Sequence, residues 1–231
     1  MTKAREEALA KKYDELVYAI SHDLRAPLRS VMAVVEWVQT DYGDALDERG
    51  NDLLEMMESG SHRLAVKFER LVEFGRADRT SDSYSVSMDA VVERLRQRYP
   101  EASFWLSGDE VSLTGDPGMI EKLFDELASN ACYFSDKDSP QIQITTEELG
   151  DTNRVRITDD GPGLRPGELD SLFRLFFTSV SEEVKEKCGM GLPICRRIVE
   201  AHDATISVSE PSIGGLCVEI NWPRKESATE A

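Results

Sequence analysis

Long apolar runs are missing from this 231-residue chain, so no segment reads as membrane-spanning, and the N-terminus lacks a secretory signal pattern. Cysteine is scarce. Cys132, Cys188, Cys195 and Cys217 form no C-x-x-C pair and have no histidine cluster beside them, which points to reduced thiols in the cytoplasm rather than a disulfide framework or a zinc site. Basic charge is in deficit, with 27 Lys and Arg against 44 Asp and Glu and a net charge of −17. That balance argues against nucleic acid or an anionic membrane as partner. An anionic ligand would have to be held by local basic groups, helix N-termini or a metal. Histidine occurs three times, and His62 and His202 read as ordinary polar positions.

What is abundant at the start is helical periodicity. Leu9, Tyr13, Leu16, Ile20, Leu24, Pro27, Val31, Val34 and Val38 recur at alternating three- and four-residue steps. A break at Asp41–Asp44 precedes a second stripe through Leu46, Leu53, Met57, Gly60, Leu64, Leu71 and Phe74. Two helices joined by a short turn form a hairpin, and one hairpin cannot bury both stripes well. Pairing of two hairpins into a four-helix bundle is the expected solution. Periodicity alone would allow a coiled coil without chemistry.

The run "SHDLRAPLRS", Ser21 to Ser30, adds chemistry to that helix. His22 lies two residues from both Ile20 and Leu24, so it is expected to face solvent, where its ring is available as a nucleophile. Asp23 can accept or orient a ring proton. Pro27 removes the hydrogen bond to the carbonyl one turn earlier and is expected to loosen the helix there. Taken alone, the same run also reads as a surface histidine beside a tolerated proline.

The stretch "ADRTSDSY", Ala77 to Tyr84, marks a linker. Beyond it strands alternate with helices. The pattern predicts helices over Asp89–Arg98, Pro117–Phe134 and Gly191–Ala201. Strands are expected over Ser103–Leu106, Val111–Thr114, Gln141–Glu147, Arg154–Thr158, Thr205–Ser209 and Leu216–Asn221. This is an α/β sandwich with helices on one face of a mixed sheet. The irregular stretch from Asp160 to Met190 is long enough to be functional, such as a lid.

Four motifs fall in this half. In "DELASNACYF", Glu126 and Asn130 share a helix face, and a carboxylate with an amide oxygen suits magnesium. In "TDDGPGL", Asp159 can accept a hydrogen bond from an exocyclic amine, while Gly161 and Gly163 let backbone pass close to a ligand. "LFRLFFTS" is an aromatic run. "CGMGLPICRRIVEAH" leads glycines into a helix N-terminus, an arrangement that cradles phosphates.

Taken in order, these motifs resemble those of the sensor histidine kinases of two-component systems, over about Tyr13 to Trp222. "SHDLRAPLRS" resembles the H box, "ELASNACYF" the asparagine box, "DDGPGL" and "GMGLPI" the two glycine boxes, and "FRLFFTS" the phenylalanine box. The first half is most similar to soluble kinases of the bacteriophytochrome type. The resemblance implies an α+β chain: a dimerising, phospho-accepting hairpin over 1–78, then a Bergerat-type ATP-binding domain over 84–224. It implies ATP and Mg2+ as cofactors, with His22 phosphorylated, Asp23 as its base or orienter, Asn130 at the metal, and Glu126 supporting that metal or polarising water or the attacking group. Asp159 would read adenine, and Gly161, Gly163, Gly189, Gly191 and Leu192 would frame the lid and phosphate loop. The partners implied are a second copy of the chain and a response-regulator receiver domain. His22 lies so near the N-terminus that input is expected from a removed sensor module or from a separate protein.

Three positions depart from the family pattern. Tyr133 stands where Lys or Arg usually reaches phosphate, Lys187 stands where a glycine usually opens the second glycine box, and Ala26 replaces the Thr or Asn of kinases that dephosphorylate their regulator. Lys187 is expected to restore the missing charge, and Ala26 to leave phosphatase activity weak. Tyr133 and Lys187 also keep open a degenerate kinase serving as an ATP-binding scaffold or phosphorelay protein. Glu126 is compatible with a Bergerat ATPase, and Cys188 with a redox switch.

Overall fold

A computed structural model describes residues 23–79, 81–178, 187–211 and 214–224. His22, the N-terminal part of the first stripe and lid residues 179–186 lie outside the described residues. The chain divides into two compact units, with the break between Arg76 and Ala77 and with Lys187 and Cys188 grouped with the first.

The first unit is a helical hairpin. Helix α1 covers 23–42 and passes through Pro27 without interruption. A single 3-10 turn, Gly43–Ala45, supplies the expected break. Asp47 then caps α2, Glu48–Arg76, by accepting the Gly50 N–H at 2.8 Å. Within one chain the apolar stripes stay largely uncovered: Leu24, Val31, Val34, Leu53, Met57 and Leu64 are all exposed, whereas Val35 and Val72 are buried.

The second unit carries a five-stranded mixed sheet in the order β2-β4-β5-β7-β6. Its strands are β2 (Ser103–Gly108), β4 (Gln141–Leu149), β5 (Thr152–Asp159), β6 (Thr205–Ser209) and β7 (Cys217–Pro223). Only the β2–β4 pair is parallel. Alternation decides the faces. Ile142 and Ile144 on β4, Val155 and Ile157 on β5, and Val218, Ile220 and Trp222 on β7 point into the core. Three helices supply the rest of that core: α3 (Met88–Arg98), α4 (Pro117–Phe134) and α5 (Gly191–Ala201). Ile120, Leu123, Ile194 and Ile198 on α4 and α5 are fully enclosed, each worth about 1.5–3 kcal/mol of transfer free energy. The opposite face of the sheet is polar, with Arg156 Nε on Glu219 at 2.7 Å and Arg154 Nε on Asn221 at 3.1 Å.

Two features depart from the reading of the sequence. The strand expected at Val111–Thr114 is β3, Ser112–Gly115, and it leaves the main sheet to pair antiparallel with an unforeseen strand β1, Tyr84–Ser87. Trp222 Nε1 donates to the Thr114 carbonyl at 3.1 Å and ties this ribbon to the sheet. His202 is not an ordinary polar position but a buried one. Its Nδ1 lies 2.7 Å from the Ile198 carbonyl, its Nε2 takes the Asp116 N–H at 3.1 Å, and its ring packs 4.8 Å from that of Trp222. A carbonyl only accepts and an N–H only donates, so the neutral ring carries its proton on Nδ1.

Candidate nucleotide site

Helix α4 positions the first part of the site. Asp116 starts it, with Oδ1 accepting the Gly118 and Met119 N–H groups at 2.8 and 3.1 Å and Pro117 at the first helical position. Burial opposes ionisation of Asp116, but donors from Ser81, Met119 and Gly118 outweigh it and hold the carboxyl below the ordinary aspartate range. Lys122, Glu126 and Asn130 then recur at four-residue steps along one face. Glu126 is buried, and Lys122 Nζ lies 3.0 Å from its Oε1. The sequence reading missed Lys122, although its place four residues before Glu126 was a signal for it.

Helix α5 begins against this face. A Cβ at Gly191 would lie 3.1 Å from both Asn130 Nδ2 and Glu126 Oε2. The start of the phosphate-cradling motif thus rests directly on the two polar side chains of α4, an approach that a side chain at 191 would obstruct. Leu192 follows in the first turn, half-buried.

Asp159 is the last residue of β5. Its Oδ1 accepts the Gly161 and Leu216 N–H groups at 3.0 and 3.1 Å, and no hydrogen bond to its Oδ2 occurs among the described residues. Burial raises its carboxyl above the ordinary range and the charge of Asp160 adds to that, against the two backbone donors. Asp160 is itself tied down, accepting from Lys137 Nζ at 2.7 Å and from the Gln141 N–H at 3.0 Å. Gly215 adopts φ +79 with its α-carbon against the Asp159 carbonyl, so no side chain fits there. The Gly214-Gly215 pair was a signal the sequence reading passed over.

The remaining candidates are placed as follows. Gly163 lies in the loop after Asp159, next to Glu210 and Gly215. Gly189, at φ +69, backs onto the carbonyl of Phe177, which joins the aromatic run to the start of the phosphate motif. Tyr133 packs edge-on against Phe134 at 5.0 Å. Lys187 groups with the first unit. Asp23 is exposed on α1.

The fit to magnesium rests on donor chemistry. Glu126 and Asn130 offer a carboxylate and an amide oxygen side by side, and no group of three acidic, His or Cys side chains suited to a metal occurs among the described residues. That suits an ion held by one or two side chains and completed by phosphate oxygens and water, as magnesium commonly is.

A mixed sheet covered on one face by helices carries both a glycine-led helix start set against Glu126 and Asn130 and a half-buried aspartate at the end of β5. Residues 115–226 match the family of histidine kinase-, DNA gyrase B- and HSP90-like ATPases, and residues 12–80 match the His Kinase A (phospho-acceptor) domain. The chain belongs to the sensor histidine kinases. It is 28% identical over 210 residues to cyanobacterial phytochrome A of Nostoc, covering 88% of this chain and 27% of that protein. To the kinase BaeS of Escherichia coli it is 26% identical, covering 88% of this chain and 45% of that one. The chain spans about a quarter of the length of its phytochrome relatives. Among solved structures, full-length ShkA with AMPPNP superposes with a TM-score of 0.65 at 18% identity, over 90% of this chain and 45% of that one. The complex of the kinase ThkA with the response regulator TrrA gives a TM-score of 0.65 at 17% identity, over 96% and 66%. No helix among the described residues is long and apolar enough to cross a membrane.

Proposed function

We propose that this chain transfers the γ-phosphoryl group of ATP to His22 and then to an aspartate of a response-regulator receiver domain. The observation that carries the reading is the meeting of Glu126 and Asn130 with Gly191 in one unit that also holds Asp159, whose Oδ1 is fixed by two backbone N–H groups. Asp159 accepts the adenine amine. The N-terminal N–H groups of α5 receive phosphate oxygens, and Asn130 with Glu126 holds magnesium, which neutralises charge on the phosphates. Phosphoryl transfer is chiefly positioning and charge neutralisation, so the protein's task is to bring the phosphate in line with His22. Asp23 accepts or orients the proton on the other ring nitrogen.

Domain limits of 1–78 and 84–224 follow from the same reading, as do a homodimer through the hairpin, input from a sensor module or protein, and a cytoplasmic location. The test is equilibrium binding of Mg-ATP to wild type, Asp159→Asn and Asn130→Ala. Tight binding that both substitutions weaken supports the reading, and binding unchanged in both contradicts it.

A second reading, a scaffold that binds ATP without transferring phosphate, is favoured by Tyr133, whose ring is engaged by Phe134 where a phosphate-reaching cation is expected.

A further inference from the structure

The chain leaves α2 at Arg76 and enters the second unit at Ala77, which is buried. Two attachments follow at once. Asp78 Oδ2 accepts from the Arg197 guanidinium at 2.7 Å, with the Arg197 side chain only 16% exposed. Asp78 Oδ1 is buried without a hydrogen-bond partner among the described residues, so Arg197 carries the compensation of this carboxylate. Three residues on, the Ser81 N–H donates to Asp116 Oδ2 at 2.7 Å. The linker is therefore bound to the side of α5 and to the capping residue of α4.

Those two points are themselves joined. The Asp116 N–H reaches His202, at the end of α5, and His202 reaches back to the Ile198 carbonyl. Gly115 makes the junction possible, because a Cβ there would run into the His202 ring. The start of α4 and the end of α5 thus share one buried network. Their opposite ends meet again where Gly191 rests on Glu126 and Asn130. From Gly191 to Arg197 is about 9 Å along the axis, and a rigid helix transmits a shift over that length undiminished.

We infer that linker residues Asp78 and Ser81 form a two-point clamp on the α4–α5 pair, and that Asp78, Arg197 and Asp116 are positioning residues setting the register of Gly191 against Asn130 and Glu126. The clamp lies on the covalent path out of the hairpin, so a pull on the linker is felt as a displacement of α5 along α4. The phosphate end of the site responds. The adenine end does not, because Asp159 is held by Gly161 and Leu216 on the sheet. This inference rests on the nucleotide reading above for its ligand, but not for its geometry.

The test uses the whole chain and compares Asp78→Asn, Arg197→Gln, Asp116→Asn and the charge swap D78R/R197D. Asp116→Asn keeps an oxygen for the cap while replacing the acceptor of Ser81. Affinities for Mg-ATP and for adenosine are measured by calorimetry, and amide exchange is followed at Ile194 and Cys195. The single variants are expected to bind Mg-ATP about tenfold more weakly, an ordinary size for coupled sites. Adenosine affinity should hold, protection at Ile194 and Cys195 should fall, and the charge swap should recover both. Unchanged Mg-ATP affinity and exchange in Asp78→Asn and Asp116→Asn would overturn the clamp, as would equal losses for ATP and adenosine, the mark of general destabilisation. Wild type binding neither ligand would refute the nucleotide reading, while exchange at Ile194 would still decide the clamp.

Discussion

Asp159 is where function and stability pull apart. Its carboxyl is raised by burial and by Asp160, so its stabilising contribution is complete below the ordinary aspartate value of about 3.9 and is lost as pH rises through the raised one. At neutral pH the ionised group costs stability while it serves the adenine amine. Asp159→Asn keeps an oxygen for Gly161 and Leu216 and removes the half-buried charge. The apo variant should unfold at the same or higher denaturant concentration than wild type at pH 7, yet bind ATP about 10–100-fold more weakly, the loss expected for a hydrogen bond to a charged acceptor. In wild type, ATP affinity should fall with acid at a pH above the ordinary aspartate range, and Asp160→Asn should move that fall to lower pH. Calorimetry across pH checks both. Lys122→Met removes the ammonium beside buried Glu126 and should cost about 1–2 kcal/mol in chemical denaturation, discounted because water reaches the lysine.

At the scale of elements, α4 depends on Asp116. Asp116→Ala removes the cap of its first turn and the acceptor of Ser81 together, a loss of about 1–2 kcal/mol for the cap alone, read by denaturant unfolding. The sign of its pH dependence is opposite to that of Asp159. A lowered carboxyl contributes stability above the ordinary aspartate range and loses it as pH falls through the lowered value. Elements with strong local signals were legible in the sequence. The α4 stripe, the β4–β5 hairpin and the glycine-led start of α5 all show such periodicity or turn chemistry. β1 did not, since Tyr-Ser-Val-Ser offers one inward apolar residue in four and pairs with a strand 25 residues later. His202 was misjudged for a related reason. Its burial comes from Trp222, Gly115 and Asp116, none of them near it on its own helix. The candidate site was legible as motifs, whereas the Lys122 pair, the Leu216 donor and the linker clamp arise from contacts that close only in three dimensions.

At the scale of the whole molecule, the exposed stripe through Val31, Val34, Leu53, Met57 and Leu64 is the surface a second hairpin would cover. Val34→Asp with Met57→Asp should shift the protein toward monomer in sedimentation at micromolar concentration, leaving ATP binding by the second unit intact. Ala26 is exposed on α1 and has neither the amide nor the hydroxyl that would orient a hydrolytic water, so dephosphorylation of a phosphorylated receiver domain should not exceed the receiver's own decay. Autophosphorylation of a histidine is measured by incubating the pure chain with γ-labelled ATP and magnesium beside His22→Gln and Asn130→Ala. Acid-labile label is expected on wild type and none on either variant. Label that persists in His22→Gln, or ATP binding by wild type with no label where a control kinase is labelled, would contradict it.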